Sequence, residues 1–223
     1  MEFILDSADI EHIQKLNDIL SIHGVTTNPT IITRAGKKAE DVIGDLCTVL
    51  NEDQLLFIQV VKTDYQGIIE EAREIAKLRP KNIIVKIPVT HDGLKAIKEC
   101  RKLGIRTLAT AIYSADQAFL AAMNGAEYLA PYVNRMDNYG DGLQQVKDLI
   151  EMLQKNQMKA KVIAASFKNV YQVHELIRCG IQAITVPCEI AYQMIDHPGT
   201  GIAVNEFSEN WSKSFKRNSI FPD

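Results

Sequence analysis

The chain has 223 residues, 46% hydrophobic and 24% charged, with a formal net charge of −3. It is long enough for one full core, carries no basic stripe suited to nucleic acid, and has no apolar run near the ~20 residues of a membrane span. Cys47, Cys100, Cys179 and Cys188 are scattered without a CxxC pair, and the acidic start "MEFILDSADIEHIQK" lacks a signal-peptide core, so a reduced, cytoplasmic, soluble protein is expected.

Strand-like and helix-like segments alternate along the whole chain. Residues 3–5 read as a strand ending at Asp6, and Ser7 or Asp9 caps a helix bearing Ile10, Ile13, Leu16 and Leu20. "GVTTN" is a strand ending at Thr26, Thr27 and Asn28, and Pro29 opens a helical turn. A helix over 39–50 precedes the strand 55–60, and a helix over 65–78 precedes the strand 83–87. The rhythm continues with a helix over 92–103 closed by Gly104, a strand over 106–112 and a helix capped by Ser114. A strand over 127–133 then leads into the loop "NRMDNYGDG". A helix over 143–156, the strand 161–166, a helix over 169–179, the strand 183–187 and a helix near 189–195 complete the series.

About eight strand-then-helix units predict an α/β fold, a closed (β/α)8 TIM barrel over residues 1–198 in a single domain. An extra amphipathic C-terminal helix and tail occupy 199–223. The competing architecture is an open doubly wound sheet, whose usual GxGxxG after the first strand is absent.

In such a barrel the site lies where the strands end. Those ends carry Asp6; Thr26, Thr27 and Asn28; Gln59; Lys86; Thr110; Tyr132, Asn134 and Arg135; Ser166 and Lys168; and Thr185. Polar strand ends are common because loops begin there, but Lys86, Gln59 and Thr110 still stand inside apolar runs. Lys86 shares the strand face of Ile84 and is the candidate nucleophile; the plainer reading is an edge-strand lysine in solvent. An apolar setting disfavours the ammonium form, and a neutral amine attacks a ketone to give an imine, an electron sink that lets the adjacent carbon–carbon bond break. Asp6 supplies a carboxylate, Tyr132 a proton shuttle, and Thr110 with Gln59 a seat for a water. Arg135, Ser166 and Lys168 suit a phosphate near the last strands, against the plainer readings of a loop salt bridge and a helix cap. His12, His23, His91, His174 and His197 form no HxxxH or HxH pair, so no metal site and no cofactor are expected.

The motifs "FILDSAD", "GVTTNPTII", "IVKIPVT", "APYVNRMD" and "AASFK" resemble, in order and spacing, the small transaldolase-like, or fructose-6-phosphate aldolase, family. The resemblance implies a class I Schiff-base aldolase with Lys86 as nucleophile. It implies that Asp6 and Asn28 act on substrate hydroxyls, and that Arg135 and Ser166 bind phosphate. With Thr26 and Lys168 added, Asn28, Arg135 and Ser166 form the expected substrate-binding set, while Asp6 belongs with Lys86, Tyr132, Gln59 and Thr110 in the catalytic set. True transaldolases are similar but carry glutamate on the third strand and phenylalanine on the sixth; Gln59 and Tyr132 stand here instead, which resembles the aldolase branch. The expected reaction is cleavage of fructose 6-phosphate to dihydroxyacetone and glyceraldehyde 3-phosphate. The rival is transaldol transfer from sedoheptulose 7-phosphate in the pentose phosphate pathway. A sugar-phosphate-binding barrel without turnover, or an isomerase, are further alternatives.

The last helix, over about 202–216, sets Val204, Phe207, Trp211 and Phe215 at spacings of three and four, a stripe that wants a partner surface. It either packs under its own barrel or reaches a neighbouring subunit. The family resemblance implies the second, in a homodecamer of two pentameric rings. The small-molecule partner expected is a sugar phosphate, with neither nucleic acid nor membrane.

Overall fold

The structure, a computed structural model, describes residues 1–221. Eight short strands, β1 Glu2–Asp6, β2 Gly24–Thr26, β3 Leu55–Gln59, β4 Ile83–Pro88, β5 Thr107–Ile112, β6 Tyr128–Pro131, β7 Lys161–Ala164 and β8 Ala183–Val186, pair in chain order. Every pairing is parallel, and β1 closes on β8. The architecture is the (β/α)8 barrel.

Alternation along each strand divides the apolar residues into two cores. Ile4, Phe57, Ile84, Leu108, Tyr128, Ile163 and Ala183 fill the barrel interior. Leu5, Val25, Ile58, Val85, Leu129 and Val162 point outward against the helices. That double burial is why the strands read as nearly continuous apolar runs. β2 begins at Gly24 for a local reason: a Cβ there would stand 2.1 Å from the Leu55 carbonyl oxygen of the adjacent strand.

The outer ring consists of α1 Ile10–Ile19, α2 Pro29–Arg34, α3 Ala39–Val49, α4 Tyr65–Leu78, α5 His91–Lys102, α6 Ala115–Met123, α7 Val133–Met136, α8 Gly142–Lys155, α9 Val170–Arg178 and α10 Cys188–Ile195. Seven of these ten helices start at a side-chain cap. Asp9, Asn28, Asp64, Thr90, Ser114, Asp141 and Asn169 each accept a main-chain N–H of the first helical turn. Asp9, not Ser7, caps α1. A long helix, α11 Pro198–Phe215, follows, with His197 as its N-cap.

Three local features differ from expectation. The stretch read as a loop after the sixth strand contains α7, a single turn too short to show an apolar period. α11 begins at Pro198 rather than 202, because His197 Nδ1 accepts from Gly199 N and Pro198 occupies the first turn, which needs no N–H. β5 is irregular: Ala111 adopts φ 55° and the β5–β6 register shifts between Ala109 and Ile112. Among the described residues, no helix is long and apolar enough to cross a membrane.

Candidate active site

The mouth follows from the strand period. Two residues beyond an inner-core side chain, the same face of the strand reaches the rim. Ile4 thus leads to Asp6, Phe57 to Gln59, Ile84 to Lys86, Leu108 to Thr110, Ala130 to Tyr132 and Ala183 to Thr185. A polar layer thereby caps the apolar interior. The β3–β4 register sets Gln59 directly beside Lys86, so both project inward.

Lys86 is 5% exposed. Its Nζ donates to the Thr27 carbonyl oxygen at 2.5 Å, and that is its one side-chain hydrogen bond. Burial pushes the amine below the usual lysine range, opposed by the nearby Asp6 carboxylate. Burial likewise raises Asp6, against the pull of Lys86, a hydrogen bond from Thr26 and the charge of Arg135. Thr26 Oγ1 donates to Asp6 Oδ1 at 2.8 Å and lies 2.6 Å from Thr185 Oγ1. A hydroxyl has one proton, so Thr185 must donate to Thr26, and a two-hydroxyl relay orients the carboxylate. Asp6 stays half-buried, with one oxygen committed to Thr26.

On the opposite wall, Tyr132 Oη and Thr110 Oγ1 are 3.0 Å apart. Burial raises the Tyr132 phenol; the Thr110 hydrogen bond and the charge of Arg135 work against that rise. The ring is gripped from two sides. The Arg135 guanidinium carbon lies 4.9 Å from its centroid, and Tyr113 meets it edge-on with centroids 5.9 Å apart. Gln59 Oε1 is buried with no protein donor, an acceptor open to a water or a substrate hydroxyl.

A cleft of about 1110 Å³ opens over this layer, and Asp6, Asn28, Gln59, Tyr132 and Arg135 line it. Lys86, Thr26 and Thr110 lie outside that lining and are buried. Asn28 is partly committed, since its Oδ1 caps α2 by accepting Ile31 N at 3.0 Å. Ser166 and Lys168 stand outside the lining. Ser166 is half-buried with φ 61°, and its carbonyl accepts Asn134 N at 3.0 Å, while Lys168 is exposed. The structure therefore brings Asp6, Thr26, Gln59, Lys86, Thr110, Tyr132 and Arg135 together. It leaves Ser166 and Lys168 on an adjoining loop. Three participants carried little sequence signal. Thr27 acts through its main chain, Thr185 through Thr26, and Tyr113 through ring contact.

A closed parallel barrel with a dry amine and a carboxylate at the strand ends defines the class: a barrel enzyme with its candidate site at the C-terminal mouth. The sequence matches the family model described as transaldolase/fructose-6-phosphate aldolase over residues 3–221, and the chain belongs to that family. It is an enzyme of aldolase or transaldolase type. The fold is also similar to a solved structure titled "Native KDPGal structure", with a TM-score of 0.56 and 17% identity, covering 82% of this chain and 80% of that one.

Proposed function

We propose that the protein is a class I aldolase that cleaves fructose 6-phosphate to dihydroxyacetone and glyceraldehyde 3-phosphate, and runs the reverse addition, through a Schiff base on Lys86. The observation that carries this reading is the amine itself. Lys86 is buried, bonded to a neutral carbonyl rather than to a carboxylate, and lowered in proton affinity by desolvation. Such an amine is the nucleophile imine chemistry needs.

Neutral Lys86 Nζ adds to the C2 ketone, and loss of water leaves a protonated imine. Asp6 takes the proton of the C4 hydroxyl as the C3–C4 bond breaks. Its electron pair flows into the imine, giving an enamine and releasing glyceraldehyde 3-phosphate. Tyr132, bonded to Thr110, returns a proton to C3, and a water held at Gln59 hydrolyses the imine to free dihydroxyacetone. Asn28 contributes a polar group to the hydroxyl side, Thr26 acts there only through the Asp6 carboxylate it orients, and Arg135 with Ser166 and Lys168 receives the phosphate.

The rival within the family is transaldolase, in which the enamine waits for an aldose phosphate. Gln59 cannot take a proton and Tyr132 can give one, which favours release over transfer. A coupled assay for glyceraldehyde 3-phosphate, run with and without erythrose 4-phosphate, decides between them. Release without acceptor is expected, and strict dependence on acceptor overturns the aldolase reading. Mass spectrometry after borohydride reduction with dihydroxyacetone should find the adduct on Lys86.

The reading extends to assembly. No residue of α11 is buried within the single chain, and Phe207 is 68% exposed. Trp211 and Phe215 meet at a tilt of 42° with centroids 4.5 Å apart. We place this helix on a neighbouring barrel in a ring-like homodecamer. Deleting the chain after Thr200 should then yield smaller or insoluble species, and light scattering that finds an unchanged assembly refutes it. The four cysteines are free thiols, which supports a reducing, cytoplasmic setting for sugar-phosphate metabolism.

A further inference from the structure

Beyond the residues assigned above, the mouth contains a polar bridge between the two loops that would receive the phosphate. Gln172 lies in the first turn of α9 and is 7% exposed. Its Oε1 accepts Lys168 N at 2.7 Å, and its Nε2 donates to Asp137 Oδ2 at 3.1 Å. Asp137, the C-cap of α7, uses its other oxygen to accept Gly142 N at 2.9 Å. One amide therefore joins the β7–α9 loop, which carries Ser166 and Lys168, to the segment that carries Arg135. Main-chain bonds run alongside, from Asn134 N to Ser166 O at 3.0 Å and from Val133 N to Ala165 O at 2.9 Å. The crossing is tight: a Cβ on Gly142 would stand 2.3 Å from Val133 O and 2.8 Å from Asp137 Oδ1.

We propose that Gln172 and Asp137 are positioning residues that hold the Arg135 and Ser166 loops in one fixed relation and so set affinity for the phosphate end of the substrate. The inference rests on the phosphate reading of Arg135 and Ser166. The chemistry selects an amide at 172, because one side of the bridge needs an acceptor and the other a donor. Leucine leaves the Lys168 N–H and an Asp137 oxygen without a partner. Glutamate keeps the acceptor but sets a second carboxylate against Asp137. Adding Asp137→Asn restores the bridge with donor and acceptor exchanged, since the introduced amide donates to the glutamate and keeps its oxygen for Gly142 N.

The test compares addition of dihydroxyacetone to glyceraldehyde 3-phosphate and to unphosphorylated glyceraldehyde. For Gln172→Leu, KM for the phosphorylated aldehyde should rise about tenfold as the two loops lose the amide that ties them, with kcat within about twofold. The unphosphorylated aldehyde should be unaffected. Gln172→Glu should do worse, and Gln172→Glu with Asp137→Asn should recover most of the phosphate preference. Equal losses on both aldehydes, an unimpaired Gln172→Glu, or no recovery in the double variant each overturn the proposal. Arg135→Leu separates the two layers of the argument. If it leaves the phosphate preference intact, the phosphate reading fails and the proposal fails with it. If it removes that preference while the Gln172 variants keep theirs, the proposal alone fails.

Discussion

At the end of the barrel where the strands begin, cations meet carboxylates. Lys161 Nζ lies 2.6 Å from Glu2 Oε1, and Arg106 grips Glu127 with two bonds of 2.8 and 2.7 Å while also reaching the Lys81 carbonyl. At the end where the strands finish, the buried cation-former has no such partner. Lys86 donates to a peptide carbonyl, and the carboxylate of Asp6 is bonded to a threonine. The same residue types thus form ion pairs at the base and leave the amine at the mouth without a salt bridge. Pairing with a carboxylate keeps the proton on an amine; a neutral carbonyl in a dry setting lets it go.

The contrast can be broken most severely at the amine. Lys86→Met should abolish turnover, a loss on the order of 10⁴-fold or more for a covalent nucleophile, together with borohydride trapping. Residual trapping in that variant would move the nucleophile elsewhere. The same substitution tests the cost of burial. In the folded chain Lys86 gives up its proton below the free-lysine value of 10.5. Between the lowered value and 10.5 the unfolded chain holds the extra proton, so this group makes stability rise with pH across that window. The denaturation midpoint of the wild type should therefore gain on that of Lys86→Met as pH rises toward 10.5.

Next in size is Tyr132→Phe, for which release of dihydroxyacetone should slow by about 10²-fold as a general acid is lost, while the Lys86 adduct still forms. A smaller effect sharpens the electrostatic side. The Asp6 carboxylate helps keep the proton on Lys86, so Asp6→Asn should shift the rising limb of the trapping-rate profile to lower pH. An unmoved limb would show that the two groups do not sense each other.

The smallest effect belongs to the base. The Arg106–Glu127 side chains are 35% and 33% exposed, so Arg106→Leu should cost only ~1 kcal/mol in urea denaturation. Its kcat should stay at the wild-type value. A rate loss there would erase the division of labour between the two ends.

Much of this was legible in the residues. The repeating strand-and-helix rhythm, the caps at Asp9 and Ser114, and a lysine inside an apolar run all have local causes, so a local reading finds them. The polar rim was visible because strand alternation carries inner-core positions such as Ile84 forward to Lys86. Other parts had no local signature. The Thr27 carbonyl is main chain, and any residue type supplies one. The bulge at Ala111 falls on a residue type with no preference for positive φ, so nothing in its side chain announces it. The contact between Asp137 and Gln172 joins residues 35 apart, and neither side chain announces its partner. α7 is one turn long, below the length at which periodicity can appear.

The pairing of β1 with β8 has a bearing on how the chain matures. Thr26 and Thr185, whose hydroxyls meet beside Asp6, are 159 positions apart, and Glu2 pairs with Ala183 at the seam. Contacts of such separation form late and slowly. During synthesis the first strand must wait for nearly the whole remaining chain to leave the ribosome. Until the last strand zips in, the lysine on the fourth stays wet, so the dry setting that the proposed imine chemistry calls for arrives only with completion of the barrel.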